Sequence, residues 1–178
     1  MLREFYSNEV LPKLVSEGDY KSVMHVPRIL KVCLNVGFSK TLSTEKYIEN
    51  VLHNLSLIAG QMPVRTYAKQ SVSTFKIRKG DCIGCKVTLR KNIMYGFMER
   101  LLYVALPREK DFKGFSHKQF DGNGNLSFGI KENVVFSEVD YDTIENIFGM
   151  DVTVVTSTNS DEQAKDLLSS LGFPFIKR

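Results

Sequence analysis

The sequence of 178 residues lacks the features that mark secreted and membrane proteins. No apolar run approaches the length of about 20 residues that spans a bilayer, and the charged N-terminus MLREFYSNEVLPKL is unlike a secretory signal. Three cysteines, a small and odd number, do not suggest a disulfide framework. We therefore expect a cytoplasmic protein with no membrane partner, folded as one domain over residues 1–178.

Motifs for hydrolysis and for metal binding are also missing. The chain contains no G-x-S-x-G, P-loop or H-E-x-x-H pattern. A zinc site would need further ligands besides Cys82 and Cys85, and the remaining cysteine and the three histidines are scattered singly. We therefore predict a protein that is not an enzyme and that holds no metal and no cofactor.

Calcium binding is a weak alternative at DGNGNLSFGIKE. Asp121, Asn123, Asn125 and Glu132 stand at EF-hand ligand positions, but Leu126 occupies the position that needs a sharply turning Gly. The pattern that follows indicates a strand rather than a helix. A hairpin turn rich in Gly and Asn is therefore the favoured interpretation.

The C-x-x-C pair of Cys82 and Cys85 raises a second alternative, a thiol redox protein. Activated thiols in such motifs commonly lie at a helix N-terminus. Here Cys85 runs into KVTLR, whose alternation is typical of a strand, while the surrounding lysines would favour a thiolate. Redox chemistry remains the alternative function at this point.

Charge is distributed unevenly along the chain, although the net charge is only +4. Residues 65–91 carry eight Lys or Arg and one Asp, whereas residues 137–166 carry eight Asp or Glu and one Lys. A basic block of one sign is typical of a surface that binds a polyanion. Phe75 lies among its lysines and arginines, a combination that fits RNA, since cations neutralise phosphates and aromatic rings stack on bases.

Periodicity predicts helices interleaved with strands and a two-layer α+β fold. Helices are expected at 3–15, at 93–106, between a cap at Ser43 or Thr44 and a stop at Gly60, and after Ser160. Strands are expected at 31–39, 64–67, 86–90, 126–130 and 151–156. We predict that Pro12 kinks the first helix, that Pro107 ends the third, and that Ser160 and Gln163 form a capping box.

Two segments are predicted to be irregular. The first is a basic loop near residues 69–84, with a flexible tip at 81–83 between Gly80 and Gly84. The second is a long, charged and Gly-rich excursion near residues 107–125.

Several stretches together resemble the bacterial type of the large-subunit ribosomal protein five family, and they occur in the family's order over nearly the whole chain. They are VPRILKVCLNVG, IAGQMPV, KQSVSTFKIRKGDCIGCKVTLR, ERLLYVALPREKDFKG, FDGNGNLSFGIKE, VDYDTI, GMDVTVVTST and DEQAKDLLSSLGFPF. The resemblance implies a mainly antiparallel sheet with helices on one side, and a structural role beside 5S rRNA in the central protuberance.

The resemblance also implies site residues and partners. For 5S rRNA, Asn35, Gln61 and Thr88 match the family's polar contacts. Arg65, Lys86 and Arg90 are expected near phosphates, on charge as much as on the resemblance. For the loop that contacts peptidyl-site tRNA, the residues are Lys69, Ser71, Thr74, Lys76, Arg78 and Lys79. Further implied partners are large-subunit rRNA, neighbouring ribosomal proteins and a small-subunit head protein across the subunit bridge. Asp81-Cys82 and Tyr67-Ala68 depart from the family's usual loop residues.

Overall fold

Five antiparallel strands form one sheet, with the helices packed on one of its faces. The computed structural model describes residues 2–18, 20, 22–38, 44–110, 112–139 and 147–176. The strands are β1 (Ile29–Gly37), β2 (Val64–Tyr67), β3 (Cys82–Leu89), β4 (Leu126–Ile130) and β5 (Met150–Thr156). They lie in the order β2-β3-β1-β5-β4, and every neighbouring pair is antiparallel. The predicted α+β class is therefore confirmed.

The central strand, β1, shows how the sequence divides the sheet into two faces. Val32, Leu34 and Val36 are buried against the helices, as their alternation predicts. Cys33 and Asn35 point to the opposite face, where Asn35 is exposed. Because β1 pairs with β3 on one side and β5 on the other, its register sets the face of every strand that follows.

The second helix, α2 (Glu45–Ala59), follows its sequence signals closely. Thr44 caps it, since its Oγ1 accepts a hydrogen bond from the Tyr47 N–H at 3.4 Å. Gly60 ends it in the left-handed conformation with φ of 66°. The alternative cap, Ser43, lies outside the described residues.

Each of two other helices contains a π-helical turn before a proline. Helix α1 consists of Leu2–Phe5, a π-helical turn Tyr6–Val10 and Leu11–Glu17; helix α3 consists of Lys91–Arg100, a π-helical turn Leu101–Ala105 and Leu106–Arg108. Each π turn ends two residues before a proline, Pro12 or Pro107. A proline ring clashes with the carbonyl four residues earlier in a regular helix, and a widened turn moves that carbonyl away. The prediction that Pro107 ends the helix is therefore wrong, because α3 continues to Arg108.

The last helix, α4 (Asp161–Ser170), does not have the predicted capping box. The Ser160 side chain makes no capping bond. Instead the Thr158 hydroxyl accepts a hydrogen bond from the Ser160 N–H at 3.1 Å and donates one to Gln163 Oε1 at 2.6 Å. The prediction is wrong because the Gln163 side chain accepts its hydrogen bond from Thr158, two residues before Ser160.

The described residues 109–110 and 112–125 contain one short 3₁₀ helix, His117–Gln119, and Phe115 holds this segment to the rest of the chain. This ring is buried and contacts Phe112, Phe128, Phe173 and Phe175. Its backbone N–H also donates to the Pro174 carbonyl at 2.8 Å. The irregular segment is therefore fastened to β4 and to the C-terminal residues. No helix among the residues that the structure describes combines the length and apolar character needed to cross a bilayer.

Candidate nucleic-acid interface

The face of the sheet that the helices leave uncovered, here called the open face, carries short polar side chains in rows across the strands. One row contains Ser127, Thr153, Cys33 and Thr88. Ser127 Oγ lies 3.1 Å from Thr153 Oγ1, and Cys33 Sγ lies 3.9 Å from Thr88 Oγ1. These small side chains give a flat surface with hydroxyl groups that can donate or accept hydrogen bonds.

The neighbouring row of the open face is charged. It contains Gly129, Asp151, Asn35, Lys86 and Val64. Asn35 lies between Asp151 and Lys86, and all three side chains are exposed. An amide beside an ammonium group and a hydroxyl row can contact phosphate and ribose oxygens together.

The structure brings three of the six residues predicted for 5S rRNA onto this face, namely Asn35, Lys86 and Thr88. Two more lie exposed at one end of the sheet, where Gln61 precedes β2 and Arg90 follows β3.

Arg65 is separated from the other five. It pairs with the buried Cys85, so its side chain leaves the sheet on the helix-covered face. There its Nη1 lies 2.6 Å from Glu45 Oε1 at the start of α2. Strand register therefore directs the Arg65 side chain away from the open face, and its predicted contact with 5S rRNA stays a prediction that the open-face residues do not share.

The segment that connects β2 to β3, residues 68–81, is called the basic loop below and is folded on itself. At its base the Ala68 N–H donates to the Asp81 carbonyl at 2.9 Å, and the Gly80 N–H donates to the Ala68 carbonyl at 3.0 Å. Further out, Val72 and Ile77 exchange two backbone hydrogen bonds of 2.9 and 3.1 Å. The tip is thus a turn of four residues, 73–76, between two short antiparallel arms.

This geometry corrects the predicted loop. Residues 82–84 belong to β3, so the loop ends at Asp81 and its tip does not lie between Gly80 and Gly84. A register shift between Thr66 and Tyr67 marks an irregularity in the β2–β3 pairing. This shift interrupts the alternation of buried and exposed side chains by which a strand is recognised in a sequence.

All six residues predicted for the tRNA loop are exposed: Lys69, Ser71, Thr74, Lys76, Arg78 and Lys79. Two side chains also brace the loop, since Ser71 Oγ accepts from the Lys79 N–H at 3.0 Å and Asp81 Oδ2 accepts from the Arg78 N–H at 2.9 Å. Phe75 is not among the predicted site residues, yet it lies at the tip with 68% of its surface exposed. The sequence pattern that sets this ring beside Lys76 already indicates RNA binding, without assigning Phe75 to either site.

The cysteine pair does not have the properties of a redox centre. Cys82 and Cys85 are free thiols within β3, and Cys85 is fully buried. Burial, with a smaller contribution from Cys82, raises the pKa of the Cys85 thiol to about 12. The attacking thiol of a redox C-x-x-C pair commonly lies at a helix N-terminus, which lowers its pKa, whereas both of these thiols lie within one strand. The thiol redox alternative is therefore contradicted by the geometry of its own cysteines.

Asp121 closes the Gly- and Asn-rich turn through hydrogen bonds to Asn123 and Asn125. Asp121 Oδ1 accepts from the backbone N–H groups of Asn123 at 2.8 Å and Asn125 at 3.1 Å, and Oδ2 accepts from the Asn125 amide at 2.7 Å. The Asn125 side-chain bond is the main reason that the pKa of Asp121 is lowered. Within the described ranges, no three His, Cys, Asp or Glu residues are grouped so that they could hold a metal ion.

Comparison with known proteins places the chain among large-subunit ribosomal proteins. Two family models match it, "Ribosomal protein L5" over residues 22–78 and the model of the C-terminus of the same ribosomal family over residues 82–175. Proteins named "Large ribosomal subunit protein uL5" are 54% identical in Wolbachia pipientis wMel and in Ehrlichia canis, over 99% of both chains. The protein of that name from Clostridium botulinum is 49% identical, over 99% of this chain and 98% of its own.

Proposed function

The chain belongs to the ribosomal protein L5 family, and on that basis we propose that its open face binds 5S rRNA and anchors it in the central protuberance of the large ribosomal subunit. Family membership makes the protein a structural, non-enzymatic constituent of the large subunit and locates it on the ribosome in the cytoplasm. Ribosomal RNA and neighbouring ribosomal proteins are accordingly its partners.

The observation that supports the 5S rRNA proposal is the uncovered arrangement of Asn35, Lys86 and Thr88 in adjacent rows. Their amide, ammonium and hydroxyl groups suit ribose hydroxyls and phosphates. Gln61 and Arg90 extend the surface at one end of the sheet. Arg65 is left out, because its guanidinium is paired with Glu45 on the covered face.

The test is a gel-shift titration of 5S rRNA against Thr88→Val and Asn35→Ala. Removing one hydrogen bond of about 1–1.5 kcal/mol should weaken binding about 5- to 10-fold. Thr74→Val, the same chemical change in the basic loop, is the matched control and should leave the affinity unchanged. The proposal fails if Thr74→Val or Arg78→Ala abolishes 5S rRNA binding while both open-face variants bind normally.

We further propose that the basic loop contacts peptidyl-site tRNA through its phosphates. Lys76, Arg78 and Lys79 are exposed around the folded tip, and phosphate contacts of this kind weaken steeply with salt. Ribosomes carrying Lys76→Gln, Arg78→Gln and Lys79→Gln together should retain 5S rRNA but lose peptidyl-site tRNA at lower salt than the wild type. Equal tRNA retention at every salt concentration would remove the basis for this contact.

We propose the acidic region 137–166 as the side that faces basic ribosomal proteins, including a small-subunit head protein across the subunit bridge. Glu162 and Asp166 are exposed on α4, one helical turn apart. Glu162→Gln with Asp166→Asn should weaken subunit association in sedimentation experiments at limiting magnesium. Glu4→Gln with Glu9→Gln, on the exposed side of α1, is the control with the same change in charge.

A further inference from the structure

A groove with three cations lies where α1, β1 and α3 all begin. Its volume is about 570 Å³, and it is lined by Arg3, Arg28, Lys91, Asn92 and Tyr95 together with apolar residues. This surface, called the basic groove below, contains none of the residues predicted for 5S rRNA or tRNA. The three cations come from segments far apart in sequence, so the fold itself brings them together.

The described residues that line the basic groove include cations and no acidic side chain. Arg3 Nη1 donates to Asn92 Oδ1 at 2.7 Å, a bond that orients the guanidinium without neutralising it. The Arg28 backbone is fixed at the start of β1, where its N–H donates to Ser157 Oγ at 3.0 Å. Three cations without a carboxylate among the lining residues favour a ligand that carries several negative charges.

Two further properties of α3 reinforce this preference. The helix begins at Lys91, its first turn contains no acidic residue, and the Arg90 side chain makes no capping bond to it. The positive end of the helix dipole therefore adds to the charge of the groove. Tyr95 lies near both guanidiniums: burial raises the pKa of its hydroxyl, while Arg3 and Arg28 act in the opposite direction.

The basic groove lies at the end of the sheet that is remote from the basic loop, where β1 begins and β3 ends. Strand β3 runs from Cys82, beside the loop, to Leu89, a span of about 24 Å. Lys91, which lines the groove, comes two residues after the end of this strand. Several cations around one open groove, on a protein of a ribosomal family, favour an RNA backbone over an acidic peptide.

We propose that the basic groove is a third RNA-binding site and that it takes the phosphodiester backbone without reading the sequence. The proposal rests on the charge and geometry of Arg3, Arg28 and Lys91 and does not require the open face to be the 5S rRNA site. The phosphates belong either to 5S rRNA or to large-subunit rRNA, and these two sources are separated by experiment.

The test compares two double variants with the same loss of charge. The groove variant is Arg28→Gln with Lys91→Gln, which keeps the Arg3–Asn92 hydrogen bond and so protects the docking of α1. The control is Lys110→Gln with Lys113→Gln, two exposed lysines beyond the opposite end of α3. Circular dichroism and urea denaturation establish that both variants are folded. Binding is then titrated against salt with two probes, a short RNA duplex of unrelated sequence and 5S rRNA.

For the unrelated duplex, the groove variant should bind about tenfold more weakly than the control, and the slope of log K against log salt should fall by about 1.5 to 2. Equal effects of the two variants would overturn the proposal, because net charge alone would then explain the loss. Wild-type binding by the groove variant would also overturn it, as would displacement of the duplex by polyglutamate at lower concentrations than by unlabelled duplex.

The 5S rRNA probe identifies the source of the phosphates. A matching fall in the 5S rRNA slope assigns them to 5S rRNA, whereas an unchanged slope, with binding to the unrelated duplex reduced, assigns them to large-subunit rRNA. Thr88→Val and Asn35→Ala separate this site from the open face. If both bind 5S rRNA normally while a basic-loop variant abolishes binding, the 5S rRNA proposal fails, and the duplex result still decides whether the groove binds RNA.

Discussion

Gly37 on β1 lies directly opposite Gly84 on β3, but the space around the two α-carbons differs sharply. A Cβ at Gly84 would lie 2.5 Å from the Val36 carbonyl oxygen, whereas nothing lies within 4 Å of a Cβ at Gly37. Gly84 is therefore the residue that lets these two strands approach.

We predict that Gly84→Ala lowers the free energy of unfolding by about 1–3 kcal/mol, because β1 and β3 must shift apart. Gly37→Ala should leave stability unchanged or raise it by about 0.5 kcal/mol through the unfolded chain. Urea denaturation of both variants measures the difference. Equal destabilisation at the two positions would show that close strand approach is not the reason for glycine at position 84.

The cap of α4 can be assigned by two single substitutions. Thr158→Val removes the hydroxyl that accepts from the Ser160 N–H and donates to Gln163 Oε1. It should lower the free energy of unfolding by about 1 kcal/mol. Ser160→Ala should have a much smaller effect, since the Ser160 side chain makes no capping bond. The reverse order in thermal or urea unfolding would restore the capping box that the sequence predicts.

The burial of Cys85 predicts a specific chemical protection. Iodoacetamide at pH 8 should modify the half-buried Cys33 and Cys82 in the native protein and spare Cys85, because its thiol stays protonated and inaccessible. Mass spectrometry of the digested protein gives the extent of modification at each site. Denaturant should expose all three thiols to equal modification, and fast native modification of Cys85 would contradict the buried position.

The same thiol contributes to alkaline instability. In the unfolded chain it ionises near its ordinary pKa of 9.0, whereas in the folded protein its pKa is about 12. Between these values the unfolded state has lost a proton that the folded state keeps, so stability falls as pH rises, by up to about 1.4 kcal/mol per pH unit. Cys85→Val should flatten this dependence just above pH 9, whereas Cys33→Val should not.

Asp81 is predicted to hold the basic loop closed. Asp81→Ala removes the carboxylate that accepts from the Arg78 N–H, so opening of the loop should become easier by about 1 kcal/mol. Limited trypsin digestion should then cleave at residues 76–79 about fivefold faster, with little change in global stability. Thr74→Ala at the exposed tip is the control. Unchanged cleavage of Asp81→Ala would mean that the backbone bonds of the loop suffice.

Sequence patterns predict the elements whose signals are local. The limits of β2 and β4 and both ends of α2 follow from short alternations and from the residues at their ends, Thr44 and Gly60. The sequence does not reveal the first residues of β3. They form a strand because they pair with β2, and no local sequence pattern indicates that pairing. In the sequence Gly84 indicates a turn, whereas in the structure it marks close approach of two strands.

The other differences between the predicted and the observed structure arise from which residues of a helix share one face and from which face of a strand is covered. Buried residues in α3 recur every four positions, at Phe97, Leu101 and Ala105. Each four-residue step overshoots a regular turn by about 40°, so the widened turn keeps these side chains on one face. The sequence pattern does not show which way the Arg65 side chain points, because a strand of four residues does not reveal which of its faces is covered. Its register against β3 shows that the side chain lies on the helix-covered face.

The hydrogen bonds inside the basic loop determine when its conformational entropy is lost. Ordering the backbone of one residue costs about 1–2 kcal/mol. In this loop the cost is already included in the free energy of folding, because Val72 and Ile77 are paired before any partner binds. A partner therefore binds a preorganised surface, and the free energy of binding is not reduced by the entropy cost of ordering a flexible segment. The salt dependence of Lys76 or Lys79 variants should accordingly report the charge contacts alone.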